Sequence, residues 1–347
     1  MRHLAVIATL FLVCAGSLAA QEQKYASLGD FQLQSGEVIR DCRIGYRTLG
    51  ELNAAKSNAV LFPTWFTGTT QDLLGLVGPG KLVDSSKYFV ILVDALGDGV
   101  SSSPSNSAAQ PHMHFPRFTI RDMVESQHQL LTHVLGVEHL HAVMGISMGG
   151  MQTFQWIVSY PEFMDKAIPI VGSPQLTSYD LLLWQSELHA IEEDAAWQHG
   201  DYSTPPVAAM KTVADIHALA LTTPEYRVAE TSRQQFPHYL ESTEQTTLRG
   251  FDTNNWVRQL QAIMDLDVSA QFGGSMERAA AAVRAQVMVV AATRDHMVNP
   301  EPALNFARLL NVPAVELDSD CGHLSPGCAQ DSLAAMIAQF LAKSSAR

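Results

Sequence analysis

The stretch His141-Ala142-Val143-Met144-Gly145-Ile146-Ser147-Met148-Gly149-Gly150-Met151-Gln152 decides the fold. Its first four residues read as a short strand, and apolar residues at helical spacing follow from Met148 to Ser159. Between them lies Gly145-x-Ser147-x-Gly149, the G-x-S-x-G pattern, in the strand-to-helix context that gives the pattern meaning. A turn this sharp holds the serine in a strained backbone conformation, and the flanking glycines let neighbouring chain approach without a Cβ in the way. The helix start then directs N–H groups and a positive dipole end at the place where negative charge would develop.

Outward from this turn, strands alternate with helices. Phe31–Gln34 and Val38–Thr48, divided by Ser35-Gly36, predict an opening hairpin, and Asn58–Pro63 and Tyr88–Val93 predict two further strands. Asp94 closes the latter, and a Gly/Ser/Pro-rich loop runs on to about Gln110. Helical spacing covers Thr119 to Leu135 and stops at Gly136. Lys166–Val171, Gln286–Ala291 and Val312–Leu317 are apolar strands, and a last helix spans Gln330 to Leu341. This alternation predicts a mostly parallel central sheet flanked by helices, and with the G-x-S-x-G strand-to-helix turn it reads as an α/β-hydrolase fold. The hundred or so residues between the strands near 170 and 287 exceed any ordinary connection and read as a helical lid. The expected division is core at 21–174 and 276–347, with the lid at 175–275.

A serine hydroxyl is a poor nucleophile at neutral pH, so it needs a base, and the base needs a third group to fix its tautomer. In this fold the acid follows the serine and the histidine comes last. His323 lies just after the last strand, in Asp320-Cys321-Gly322-His323, where a loop can return it to the serine. Asp295, in Thr293-Arg294-Asp295, follows the preceding strand and is the first choice of acid; Asp318 and Asp320, on the loop of His323 itself, are the alternatives. An oxyanion hole needs two donors. The Met148 N–H is one, and the loop Pro63-Thr64-Trp65-Phe66-Thr67-Gly68 supplies the other, Phe66 being preferred to Trp65.

The net charge of −13, with no compensating Lys/Arg-rich run, argues against nucleic acid or an anionic membrane as partner. Residues 1–20 combine a basic head, an apolar run from Leu4 to Val13 and small residues up to Ala20, the order of a cleavable secretory signal. The expected protein is therefore secreted or periplasmic and leaves the membrane once the signal is removed. Beyond the signal stand Cys42, Cys321 and Cys328, an odd number, so one thiol is left over. A Cys321–Cys328 bridge would close a small loop around His323; spacing alone leaves open whether it forms. Trp184, Trp197 and Trp256 are candidates either for an acyl pocket or for core packing. No spacing suggests a metal, His112-Met113-His114 reading as a surface pair, and no phosphate loop or dinucleotide fingerprint implies a cofactor.

Several stretches together resemble the homoserine O-acetyltransferase family of α/β-hydrolase proteins: Leu76–Lys81, Phe118–Val124, Gly145–Gln152, Ala190–Asp194 and Phe251–Asn254. The resemblance covers most of the chain after residue 20. It implies Ser147, Asp295 and His323 as a triad, Phe66 and Met148 as oxyanion donors, a helical lid, and a homodimer joined through the lids. The substrate-binding pattern departs from the family. Leu324 follows the histidine where the family has an aspartate, and Lys211 and Ala218 stand where it has an arginine and a tyrosine. Lys211 remains a candidate substrate-binding residue, without the bidentate fork of arginine. An exported transferase would also lack acetyl-CoA, a cytoplasmic metabolite. The sequence thus points to an exported serine hydrolase of an ester, thioester or small amide acting on a small-molecule acyl substrate. An O-acyltransferase is the alternative, and a binding protein that kept the scaffold is the rival from another class.

Overall fold

The structure, a computed structural model, describes residues 22–343. The signal reading at 1–20 lies outside these residues. Nine strands form one sheet: β1 (Lys24–Gln32), β2 (Val38–Leu49), β3 (Ala59–Pro63), β4 (Phe89–Val93), β5 (Leu140–Ile146), β6 (Met164–Ile170), β7 (Gln286–Val287), β8 (Val290–Ala292) and β9 (Val315–Leu317). The spatial order is β1-β2-β4-β3-β5-β6-β8-β9, with β7 also on β6. The pairs β1–β2 and β2–β4 are antiparallel and the others parallel.

Parallel strands need both faces covered, and β3 shows how the sequence meets that demand. Every residue of Ala59–Phe62 is fully buried, yet the side chains still alternate: Ala59 and Leu61 join one core, Val60 and Phe62 the other. The same division runs through β4, with Ile91 and Val93 opposite Val90 and Leu92. Helix α1 (Ile120–Gln129) starts at a capping box, the Thr119 hydroxyl accepting the Asp122 N–H while the Asp122 carboxylate accepts the Thr119 N–H at 2.8 Å. Helix α2 (Met148–Ser159) packs on β5 and β6 and is almost wholly buried.

Between β6 and β7 the chain leaves the sheet as α3 (Ser178–Glu192), α4 (Val207–Leu221), α5 (Pro224–Glu230), α6 (Phe236–Gly250) and α7 (Thr253–Met264). The chain then returns for β7 and β8, followed by α8 (Glu301–Leu309), β9 and α9 (Gln330–Ala342). Two elements differ from the sequence reading. Strand β1 begins at Lys24 instead of Phe31, because register shifts around Gly29 break the apolar alternation while main-chain pairing continues. The run Gln286–Ala291 splits: β7 pairs only with β6, and at Val290 the pairing spreads to β9 as well.

Candidate active site

Ser147 follows the last residue of β5 and is the N-cap of α2, with φ 56° and ψ −122°. A non-glycine residue held there costs on the order of 1–3 kcal/mol, so the surroundings must impose it. They do so by close packing of backbone. A Cβ on Gly145 would lie 2.2 Å from the Gly149 carbonyl oxygen, and one on Gly149 would lie 2.7 Å from that of Pro63. The Ser147 N–H is tied to the Ile170 carbonyl at 2.9 Å.

The structure brings Ser147, His323 and Asp295 together. Ser147 Oγ is 2.8 Å from His323 Nε2, and His323 Nδ1 is 2.6 Å from Asp295 Oδ2. The other Asp295 oxygen accepts the N–H groups of Met297 at 2.8 Å and Val298 at 2.9 Å, so the carboxylate cannot turn away. A carboxylate only accepts, which puts the imidazole hydrogen on Nδ1 and leaves Nε2 free to take the serine proton. Asp295 and His323 are both buried, at 8% and 7% exposure, so little water competes for these bonds. Asp318 and Asp320, the alternative acids, instead flank Arg294: Asp318 is 2.8 Å from its Nε, and Asp320 pairs with its Nη1. Both are exposed, and neither reaches the histidine ring.

Two backbone N–H groups adjoin the serine: Met148 follows it in the chain, and Phe66 lines the same cavity. Among the described residues, the N–H groups of Phe66 and Met148 find no protein acceptor. The Phe66 loop is held by side-chain amides from two directions. Gln152 of α2 donates to the Thr64 carbonyl at 3.0 Å and accepts from Gln127, whose own oxygen accepts the Trp156 indole N–H at 2.7 Å. Gln259 of α7 accepts the Thr67 N–H at 3.0 Å and donates to the Leu96 carbonyl at 3.1 Å. This amide chain was not foreseen from sequence, since glutamines on helices carry no motif.

Above the serine is a cavity of about 520 Å³, walled by the sheet edge and by α3, α4 and α7. Trp65, Phe66, Leu76, Leu82 and Met151 form its floor, and Trp184, Leu221 and Ile263 its roof. Its lining contains no Asp, Glu, Lys or Arg. Lys211 is not part of it. Its ammonium lies on the outer side of α4, paired with Glu244 of α6 at 2.6 Å, which also raises its pKa. The substrate-binding reading of Lys211 is corrected accordingly, since the helical phase of α4 turns it away while His217 and Leu221 face the cavity. Leu324, next to the histidine, does line it. Of the three tryptophans only Trp184 lies in the wall; Trp197 donates to Asn254 at 2.9 Å and Trp256 to Glu187 at 3.0 Å.

Cys321 and Cys328 form a disulfide that brackets His323, with Cα atoms 6.6 Å apart. Cys42 is the leftover thiol, buried in the core, and burial pushes its pKa up to about 12. His112 is engaged with the Gly200 carbonyl at 2.9 Å.

A mostly parallel sheet carrying a strained serine, then an aspartate and last a histidine in chain order defines an enzyme of the α/β-hydrolase kind, a hydrolase or an acyltransferase. The family model described as alpha/beta hydrolase fold matches residues 78–326, and the chain belongs to that family, within its homoserine O-acetyltransferase-like group. It is 32% identical over 309 residues to an ethyl acetate hydrolase of Pseudomonas veronii, covering 86% of this chain and 88% of that protein. It is 31% identical over 339 residues to a homoserine O-acetyltransferase of Methanococcoides burtonii, covering 85% and 68%. Among solved structures, the acetyl esterase MekB matches with a TM-score of 0.87 at 29% identity, covering 93% of this chain and 98% of that one.

Proposed function

We propose that this protein is an exported serine esterase that hydrolyses short-chain acyl esters through an acyl-enzyme on Ser147. His323 accepts the Ser147 proton as Oγ attacks the carbonyl, and Asp295 stabilises the imidazolium that results. The Phe66 and Met148 N–H groups receive the oxyanion. His323 then protonates the departing alkoxide, and in the second half it takes a proton from the water that attacks the acyl carbonyl, returning Ser147 to its hydroxyl form.

One observation carries the choice of hydrolysis over transfer to homoserine: the cavity wall holds no Asp, Glu, Lys or Arg, and Leu324 follows the histidine. A zwitterionic amino acid would give up its hydration there without a counter-charge for either end, a cost of several kcal/mol. Small neutral esters face no such cost, in keeping with the names of the ethyl acetate hydrolase and the acetyl esterase that this chain is similar to. Small thioesters and amides fit the same chemistry. The similarity to a homoserine O-acetyltransferase supports the second reading, acyl transfer to another acceptor.

Export rests on the composition of residues 1–20. A homodimer through the lids belongs to the same proposal; the exposed apolar side chains Leu219, Val228 and Phe236 on α4, α5 and α6 favour it. Among the described residues, no helix is long and apolar enough to cross a membrane.

The test is a comparison of acceptors. Ethyl acetate should release acetate at a rate unaffected by homoserine, and acetyl-CoA with homoserine should give no O-acetylhomoserine. Transfer to homoserine exceeding hydrolysis would replace this reading with the second one.

A further inference from the structure

The roof of the cavity contains a second histidine–carboxylate pair. His217 of α4 lines the cavity, and its Nδ1 is 3.1 Å from Glu187 Oε1 on α3. Glu187 is fully buried, and its other oxygen accepts the Trp256 indole N–H at 3.0 Å. The imidazole ring is wedged among Phe66, Trp184 and Trp256, with centroids 6.0, 6.0 and 5.3 Å away. Glu187, being acceptor-only, fixes an Nδ1–H and so the orientation of the ring. Nε2 makes no hydrogen bond among the described residues.

Burying a carboxylate in a roof of aromatic rings is costly, and a lid that served only to cover an apolar substrate would be better served by another apolar side chain. Apart from the serine, its base and the indole N–H groups of Trp65 and Trp184, the latter buried and without a partner, the lining offers only Thr67 and this imidazole as polar side chains, and of these groups only the imidazole is held by a buried carboxylate in the roof. We propose that His217, held by Glu187, is a specificity-determining residue: its Nε2 hydrogen-bonds a hydroxyl group on the substrate, so that hydroxyl-bearing short-chain esters are preferred to their alkyl isosteres. A hydroxyl suits either form of the ring, since it donates to Nε2 when the ring is neutral and accepts from Nε2–H when it is protonated. The inference rests on the serine esterase reading and adds the substrate class.

Two isosteric ester pairs test it, each exchanging a hydroxyl for a methyl group: 2-hydroxyethyl acetate against n-propyl acetate for the alcohol side, and ethyl glycolate against ethyl propanoate for the acyl side. The readout is the ratio of kcat/KM within a pair, from which any structural loss common to both esters cancels. His217→Phe keeps the ring packing and should lower the ratio in one pair by roughly tenfold, the size of one hydrogen bond to a neutral group. Because that change leaves Glu187 buried without its partner, the double variant Glu187→Gln/His217→Phe is measured too and should show the same loss. Ratios equal to wild type in both pairs, in either variant, overturn the proposal. Failure of the underlying reading looks different: wild type would then hydrolyse none of the four esters.

Discussion

Thr223, at the turn between lid helices α4 and α5, donates its hydroxyl to the Asp320 carbonyl at 2.7 Å and its N–H to the same oxygen at 3.2 Å. The loop that carries His323 is thereby fastened to the lid, and Gly322, at φ +60°, lies so close to Thr222 that a Cβ there would be 3.0 Å from the Thr222 Cα. The Cys321–Cys328 bridge fastens the same loop from its other side.

Opening that bridge should therefore affect catalysis as well as stability. A closed loop this short is worth about 2–3 kcal/mol in the chain-entropy account, and small misplacements of a base are costly in rate. For Cys321→Ser/Cys328→Ser, the expected result is a lower melting temperature together with a fall in kcat of roughly tenfold or more, with KM little changed. A melting curve and steady-state kinetics on ethyl acetate check it; kcat equal to wild type would show that the bridge only staples the fold.

Asp295→Asn separates orientation from folding. The amide oxygen can still accept the Met297 and Val298 N–H groups, so the loop should keep its shape. Its other end would present N–H₂ to His323 Nδ1, favouring the wrong tautomer and removing the charge that stabilises imidazolium. A kcat loss of roughly 10³–10⁴-fold with a near-wild-type circular dichroism spectrum is expected.

Gly149→Ala probes the elbow. The added methyl would meet the Pro63 carbonyl oxygen at 2.7 Å, pushing the helix start away from the Phe66 loop and so separating the two oxyanion donors. The variant should lose roughly 10²-fold or more in kcat. Thermal melting should fall as well, by an amount matching overpacking of about 1–3 kcal/mol.

Stability should depend on pH through Asp98. Burial, and then the neighbouring Asp94 charge, hold its carboxyl well above the ordinary 3.8, while its Oδ1 accepts the Val100 and Ser101 N–H groups. Between 3.8 and the raised folded value, the native state keeps a proton that the unfolded chain has released. Stability contributed by this group is thus present at low pH and declines as pH rises through that window. Asp98→Asn cannot ionise, so its melting temperature minus that of wild type should grow as pH rises above the ordinary carboxyl value of 3.8. A constant difference would contradict the assignment.

Much of this site was legible because its parts sit at element ends. Ser147 follows an apolar run and precedes a helical one, and Asp295 and His323 each follow a strand, so topology alone puts all three at one rim of the sheet. The strand pattern failed where backbone pairing continues without alternation, as at Lys24–Asp30, and where one run changes neighbours, as at Met288 and Val289. Lys211 was misplaced because a helical insertion gives no phase relative to the sheet: rotation of α4 decides that His217 faces inward and Lys211 outward. Glu187, Gln152 and Gln259 were invisible for a related reason, since their roles depend on partners between 25 and 192 residues away.

The most direct measurement is covalent. An organophosphonate ester incubated with the protein, followed by proteolysis and peptide mass spectrometry, should place the phosphonyl group on Ser147, with labelling abolished in Ser147→Ala and slowed at least a hundredfold in His323→Ala. A folded protein that hydrolyses ethyl acetate yet carries no label at Ser147, or carries it on another residue, would contradict the account.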